Sequence, residues 1–270
     1  MKAKLGVNSY VVREISKNGI SIDNLPIDVI ELGFDDIPVL TEDGINWEML
    51  HNLATLDVDF TIHAPCADGK NVSVDLGINT RRNIRIMENV FVIAQTLNAK
   101  YVVVHGGDIG ESYHRAFINT RIQLMELATI AEEYGVELVI ENMCDNRIGA
   151  FPHEMLPFIE QNVSVCIDIG HAFLTSLKYG INIREYSLLP RIVHLHLHDN
   201  YGVRDDHLPP GEGKIPLSLY HHLLLLKPRN VIIEIRNYDT PESILRGISF
   251  IKGLRPVTLK SFQKMRMLER

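Results

Sequence analysis

The arrangement of apolar runs is the feature that most restricts the fold of this chain. Short runs rich in Val, Ile and Leu alternate with longer amphipathic stretches along almost its whole length. Buried apolar runs separated by helical patterns are typical of parallel strands in α/β proteins. We predict eight such strands, over 4–7, 28–33, 59–63, 101–105, 137–141, 164–168, 192–196 and 231–234.

Helical patterns lie between these strands, the clearest over 80–97, 115–134, 152–161, 217–226 and 241–251. Eight strand–helix units in 270 residues match the roughly 250 residues that are typical of a closed eight-stranded α/β barrel. No G-x-G-x-x-G follows the first strand, so a dinucleotide-binding domain has no support. The sequence therefore predicts a single (β/α)₈ barrel over 1–254.

The last residues, 255–270, differ from the rest. They follow the final amphipathic stretch and carry five basic residues (Arg255, Lys260, Lys264, Arg266 and Arg270) against Glu269 alone. We expect a basic, helical C-terminal extension exposed to solvent; an arm that binds a partner is the alternative.

Composition and charge narrow the choice of partners. The net charge of −7 disfavours a protein that coats nucleic acid, because neutralising phosphates needs clustered Lys and Arg. No apolar run is long enough for a signal peptide or a membrane span, so we expect no membrane partner. Cys66, Cys144 and Cys166 lie far apart in the sequence. We therefore expect them to be reduced thiols, and the protein to be cytoplasmic.

Potential metal ligands stand at the ends of the last six predicted strands: His63, His105, Glu141, Asp168, His196 and Glu234. The following loops add His171, Asp205 and His207. The carboxyl ends of the strands meet at one opening of such a barrel, and buried carboxylates and imidazoles stay unpaired there unless a cation joins them. The sequence therefore predicts a divalent-metal site. The mixed set suits zinc, manganese or iron, and its lack of thiolates argues against a structural zinc site.

Two interpretations are open for several polar residues near these strand ends. His194, His196 and His198 share one face of the seventh strand. His194 lies deepest in the barrel of the three, and we expect it to be a hydrogen-bonded core residue or a residue that supports a metal ligand. His198 and Asp199 are expected at the rim, in contact with a loop or substrate. Glu31 is expected to touch substrate or form an ion pair at the rim.

The same residues carry a resemblance to a known family. The sequence resembles the xylose isomerase-like barrel superfamily, which contains sugar isomerases and epimerases and also endonuclease IV. The matching pieces are His63-Ala-Pro, His105-Gly-Gly, Ile-Glu141-Asn, Asp168-Ile-Gly-His171, His-Leu-His196-Leu-His-Asp, Asp205-Asp-His207-Leu-Pro-Pro-Gly-Glu-Gly and Ile-Glu234-Ile. The similarity extends along the chain from the first strand to about Leu254.

This resemblance implies that the protein binds one to three ions, Zn²⁺ or Mn²⁺, and it also implies which residues are their ligands. In the isomerases and epimerases one ion is held by residues that match Glu141, Asp168, His196 and Glu234. By resemblance to endonuclease IV, His63 and His105 would join Glu141 around a second ion. In the same way, His171, Asp205 and His207 would hold a third.

Two departures separate the chain from endonuclease IV. Cys66 follows Pro65 where that enzyme has an aromatic residue that enters the duplex, and 67–75 contains no aromatic residue. The Asp-Thr-Cys-His signature of the enzyme is replaced by Asp168-Ile-Gly-His171. The sequence therefore lacks a DNA-reading loop of that kind.

We therefore predict a divalent-metal-dependent isomerase or epimerase of a sugar or sugar phosphate that works through a metal-chelated enediolate. Glu141, Glu234 and His171 are its predicted catalytic residues. Arg236 is predicted to bind substrate, with a surface ion pair as the alternative. An endonuclease IV-like zinc phosphodiesterase that cleaves DNA at abasic sites is the alternative function, and a non-catalytic binding protein is a third. The oligomeric state stays open, a homo-oligomer included.

Overall fold

Eight parallel strands close into a barrel in the computed structural model, which describes residues 3–144, 146–159 and 163–254. The barrel strands are β1 (Lys4–Asn8), β2 (Val29–Gly33), β5 (Asp59–His63), β6 (Tyr101–Val104), β7 (Glu137–Glu141), β8 (Ser164–Asp168), β9 (Ile192–Leu197) and β10 (Asn230–Ile233). Their order around the barrel is β1-β10-β9-β8-β7-β6-β5-β2. The predicted (β/α)₈ barrel is confirmed, and its strands begin and end within a residue or so of the predicted positions.

Helices connect these strands on the outside: α1 (Ser9–Lys17), α2 (Trp47–Leu53), α3 (Arg81–Thr96), α4 (Tyr113–Glu133), α5 (Pro152–Ile159), α6 (Ile169–Tyr179), α7 (Leu217–Leu224) and α8 (Pro241–Leu254). Two short 3₁₀ segments, Ile22–Asn24 and Ile183–Leu188, and a hairpin of β3 (Leu40–Thr41) and β4 (Gly44–Ile45) complete the elements. The predicted C-terminal extension lies outside the described residues. Among the described helices, none combines the length and apolar character that crossing a membrane requires.

Most of the apolar core lies between the barrel and its helices. A second, small cluster of Val103, Val139 and Cys166 is separate from it. Side chains two residues apart on a strand share a face, so this cluster lies directly below His105, Glu141 and Asp168 inside the barrel. An apolar patch thus lies beneath these three strand ends, next to the buried His194, which is the strand neighbour of Cys166.

Strand register places the polar ends side by side. Asp168 on β8 is the direct neighbour of His196 on β9, and Glu141 on β7 is the neighbour of Cys166 on β8. Because these neighbouring strands are parallel, Glu141, Asp168 and His196 lie toward the same rim, and Cys166 lies below Asp168.

Candidate metal centre

Glu141 is the hub of the polar cluster at the carboxyl ends of the strands. Its side chain is buried, and Oε2 lies 3.4 Å from His63 Nε2, 3.3 Å from His105 Nε2 and 3.2 Å from His196 Nδ1. Its other oxygen, Oε1, lies 3.2 Å from His171 Nδ1. Burial alone would raise the pKa of Glu141, but the surrounding imidazoles, His196 first, hold it well below its usual range.

A second carboxylate reaches the same imidazole nitrogen. Glu234 follows β10 directly, and its Oε2 lies 3.4 Å from His196 Nδ1. Below the ring, His196 Nε2 lies 2.8 Å from Glu31 Oε1. A carboxylate at that position favours the ring proton on Nε2, which leaves the Nδ1 lone pair directed at Glu141 and Glu234.

Glu31 and His194 lie deeper than these residues. Both are buried, with Glu31 Oε2 2.9 Å from His194 Nε2. Of the two roles expected for Glu31, the structure has the ion pair, with His196, although it lies beneath that ring and not at the rim. The structure has His194 as a buried core residue, with its Nδ1 3.5 Å from Nδ2 of Asn230, and its support of a metal ligand stays a prediction.

A third group forms where α6 begins. Asp168 caps this helix through His171, whose backbone N–H donates to Oδ1 at 2.7 Å. His171 Nε2 lies 3.1 Å from Asp205 Oδ2, and His207 Nε2 lies 2.8 Å from the same oxygen. His207 Nδ1 contacts the backbone carbonyl of Glu234 at 3.3 Å. The structure thus brings the nine predicted ligands into one continuous cluster, although whether they bind metal stays a prediction.

His198 is a member of this cluster that the sequence interpretation left at the rim. It is fully buried, and its Nε2 lies 3.0 Å from each Asp168 oxygen and 3.7 Å from Asp205 Oδ1. Its ring stacks on that of His207, with the centroids 4.0 Å apart. Burial would lower the pKa of His198, but Asp168 outweighs it and raises the value to about 9.

Gly170 explains why His198 can lie so deep. A Cβ atom on Gly170 would be 1.9 Å from Cε1 of His198, closer than any two such atoms can approach. The glycine in Asp168-Ile-Gly-His171 therefore makes room for this imidazole. The sequence shows this glycine, but not its approach to His198, which follows a different strand.

Asp199 is also buried instead of lying at the rim, but it makes the loop contact that was one of its two expected roles. Its oxygens accept hydrogen bonds from the backbone N–H groups of Gly211 (2.9 Å) and Ile215 (3.0 Å). These bonds fix the loop that carries Asp205 and His207. His207 itself has a φ of +49°, in the left-handed region where residues other than glycine are uncommon.

Cys66 joins the cluster, although the sequence interpretation gave it no role. Its Sγ lies 4.0 Å from His63 Nδ1 and 4.0 Å from His105 Nε2. Burial would raise the pKa of this thiol, but the two imidazoles, His105 first, outweigh it and lower the pKa to about 6. In contrast, burial raises the pKa of Cys166.

The donor atoms fit a divalent cation. Glu141 Oε2, His196 Nδ1 and Asp205 Oδ1 are buried and form no hydrogen bond with the described residues. Buried polar atoms without a partner are costly, and a carboxylate oxygen at 3.2 Å from an imidazole nitrogen needs a proton or a metal ion between them. Oxygen and imidazole ligands suit zinc, manganese and iron.

A cavity of about 710 Å³ opens onto the cluster. Charged side chains from several loops line its mouth: Arg13, Asp35, Asp36, Asp68, Lys70, Asp108, Arg147 and Arg236. Tyr10 and Phe34 are the aromatic residues among its described lining, and neither comes from the 67–75 loop. Arg236 lies 3.5 Å from Asp36 and 3.7 Å from Glu234, so it belongs to the wall of the cavity.

Comparison with known proteins agrees with this architecture. Over 242 residues, the chain is 30% identical to an uncharacterized protein of Methanocaldococcus jannaschii, covering 87% of this chain and 92% of that one. It is 24% identical over 216 residues to fructoselysine 3-epimerase of Escherichia coli O157:H7, covering 70% and 76% of the two chains. The crystal structure of a D-tagatose 3-epimerase-like protein superimposes with a TM-score of 0.73 at 25% identity, over 93% of this chain and 96% of the other.

The model of one protein family matches residues 22–254, a range that includes every residue of the polar cluster. This family is described as the xylose isomerase-like TIM barrel. The chain belongs to the xylose isomerase-like TIM barrel family.

Proposed function

We propose that this protein is a divalent-metal-dependent isomerase or epimerase of a small sugar or sugar phosphate. The observation that carries the proposal is the convergence of two carboxylates on one imidazole nitrogen. Glu141 Oε2 and Glu234 Oε2 lie 3.2 and 3.4 Å from His196 Nδ1, and they come from different strands. The names of the relatives, fructoselysine 3-epimerase and a D-tagatose 3-epimerase-like protein, support the same reaction class.

The residues suited to hold the ion are Glu141, Asp168, His196 and Glu234. When bound there, a divalent ion supplies Lewis-acid polarisation of a carbonyl group, which acidifies the neighbouring C–H bond. Each glutamate has a second oxygen: Oε1 of Glu141 faces His171, and Oε1 of Glu234 faces Arg236. One carboxylate can remove a proton from the sugar carbon, and the other can return a proton to the opposite face.

His171 and Arg236 are suited to orient the sugar. Both line the cavity beside the two glutamates. Among the described residues, the guanidinium group of Arg236 forms ion pairs but no hydrogen bond, so its N–H donors are available to a hydroxyl or phosphate oxygen. Its Cζ lies 5.9 Å from the centre of the Tyr10 ring, which limits where the group can move.

The decisive experiment measures deuterium exchange from solvent into the carbon next to the carbonyl, over a panel of ketoses and ketose phosphates. Glu234→Gln keeps the size of the side chain and removes its charge. General acid–base catalysis contributes about 10²–10⁴-fold, so we expect exchange to fall at least about 100-fold. The bound metal per chain should fall as well. The matched control is Glu42→Gln, which changes a surface glutamate paired with Arg82 and should leave both readouts unchanged. Unchanged exchange and metal content in Glu234→Gln would refute the assignment.

Endonuclease IV-like hydrolysis of DNA is the second candidate, because the full set of nine residues lies in one cluster. Duplex DNA with a single abasic site tests it directly. We expect no efficient incision, since the chain lacks an aromatic residue after Pro65 and carries a net charge of −7. Metal-dependent incision that is lost in His171→Ala would replace the sugar reaction by the nuclease reaction.

A further inference from the structure

Cys66 stands at the turn that follows β5, against the imidazoles of two neighbouring strands. Its Sγ is 4.0 Å from Nε2 of His105 and 4.0 Å from Nδ1 of His63, and the centres of the two rings are 4.8 Å apart. One ligand atom from each of these three residues can be chosen so that all three atoms lie within 4.8 Å of one another. The residues line the cavity, so an ion from solvent can reach them.

The hydrogen bonds of His63 direct a lone pair toward Glu141. Nδ1 of His63 lies 2.9 Å from the backbone oxygen of Ala64, which can only accept a hydrogen bond, so the ring proton is on Nδ1. Its Nε2 therefore presents a lone pair to Glu141 Oε2 at 3.4 Å. That oxygen is buried and forms no hydrogen bond with the described residues. Two facing acceptors of this kind need a cation between them.

His105 Nε2 is the atom nearest to both anionic neighbours. It lies 3.3 Å from Glu141 Oε2 as well as 4.0 Å from Cys66 Sγ. The far nitrogen, Nδ1, lies 3.2 Å from Nη1 of Arg147, which can only donate. The neutral ring therefore carries its proton on Nε2, between the thiol and the carboxylate, and an ion at this point would replace that proton.

We infer that Cys66 supplies a thiolate ligand to a divalent ion held together with His63, His105 and Glu141. Two imidazoles, one thiolate and one carboxylate are four donors, the number that Zn²⁺ takes in tetrahedral sites. A thiolate also selects zinc and cobalt over the hard ions magnesium, calcium and manganese. No cysteine is among the ligands expected from the sequence, and Cys66 changes the class of metal that this part of the cluster accepts. The inference does not depend on the sugar reaction, because it concerns metal binding alone.

Cobalt substitution tests the inference directly. Co²⁺ bound by a thiolate shows a sulfur-to-cobalt charge-transfer band in the near ultraviolet, which oxygen and nitrogen ligands do not produce. Protein stripped with a chelator and titrated with Co²⁺ should develop this band. The band should be lost in Cys66→Ser and retained in the matched variants Cys144→Ser and Cys166→Ala. Cys166 is the informative control, because it forms a candidate group with His194 and His196.

A band that survives in Cys66→Ser, or one that disappears in Cys166→Ala, would overturn the assignment. So would saturation with Co²⁺ without any band, which would leave Cys66 as a hydrogen-bonding neighbour of the histidines. A second measurement needs no variant: alkylation of the native protein by iodoacetamide, followed residue by residue by mass spectrometry. Zn²⁺ should slow alkylation of Cys66 at least about tenfold, and Mg²⁺ should have no effect. Equal rates with and without Zn²⁺ would also contradict the inference.

Discussion

Substituting Gly170 by alanine gives a stability change whose sign can be worked out from the structure. In most helices this change is stabilising, by up to about 1 kcal/mol. Here the new Cβ would lie 1.9 Å from Cε1, 2.4 Å from Nε2 and 2.7 Å from Nδ1 of His198. His198 is fully buried, so its ring cannot move away without displacing its neighbours.

The expected cost has two parts. Overpacking of a buried site costs about 1–3 kcal/mol. Displacing His198 also weakens its contacts with Asp168, at 3.0 Å from both oxygens, and a hydrogen bond to a charged group contributes about 1.5–3 kcal/mol. After subtracting the helix gain, we expect Gly170→Ala to lower the free energy of unfolding by about 1.5–5 kcal/mol.

Urea unfolding of chelator-treated protein measures this change without a contribution from bound ions. The matched control is Gly253→Ala in α8, where a Cβ would meet no atom within 4 Å, and we expect this variant to be as stable as the wild type or slightly more stable. If the clash is the cause, Gly170→Ala should cost little in a His198→Ala background. A Gly170→Ala protein within about 0.5 kcal/mol of the wild type would refute the argument.

Two further outcomes follow from the charges and hydrogen bonds of the site. Burial lowers the pKa of His198, but the carboxylate of Asp168 outweighs it and raises the value to about 9. In chelator-treated protein the resulting stability is present below pH 6.5 and lost as the pH rises through 9. We therefore expect urea midpoints to fall over that range, and a rising midpoint would contradict the protonation assigned to this ring. Asp199→Ala removes the acceptors that fix the loop carrying Asp205 and His207. Limited proteolysis should cut that loop at least about tenfold faster than in the wild type, and an unchanged rate would show that other contacts hold it.

The alternation of apolar runs was sufficient to predict the eight barrel strands. Strands that are buried on both faces leave a strong pattern of branched residues, and their ends are marked by His63, Glu141 and Asp168. The helices α1, α2 and α6 were not among the predicted ones. α6 begins at the residue after β8, with Ile-Gly-His, so no polar linker separates the strand from the helix.

The positions of His198 and Cys66 could not be read from local patterns. Alternation places His198 on the inner face, but its depth depends on the missing side chain of Gly170, which belongs to the preceding strand–helix unit. Cys66 is three residues from His63, yet the contact that changes its chemistry is with His105, which comes from the next strand. Both positions depend on how closely two separate segments of the chain approach each other. The spacing of residues along one segment does not determine that distance.

The position of Glu141 also has a thermodynamic consequence. Its two oxygens face four imidazoles that belong to different parts of the cluster, so any ions bound there would share one negative charge. The first cation to bind would reduce the attraction left for the next, and their affinities would be coupled. Metal content would then follow the free ion concentration as a graded curve. The same chain would hold one ion at a low free ion concentration and more at a high one. Each added ion would alter the basicity of Glu141, the carboxylate proposed to move the proton.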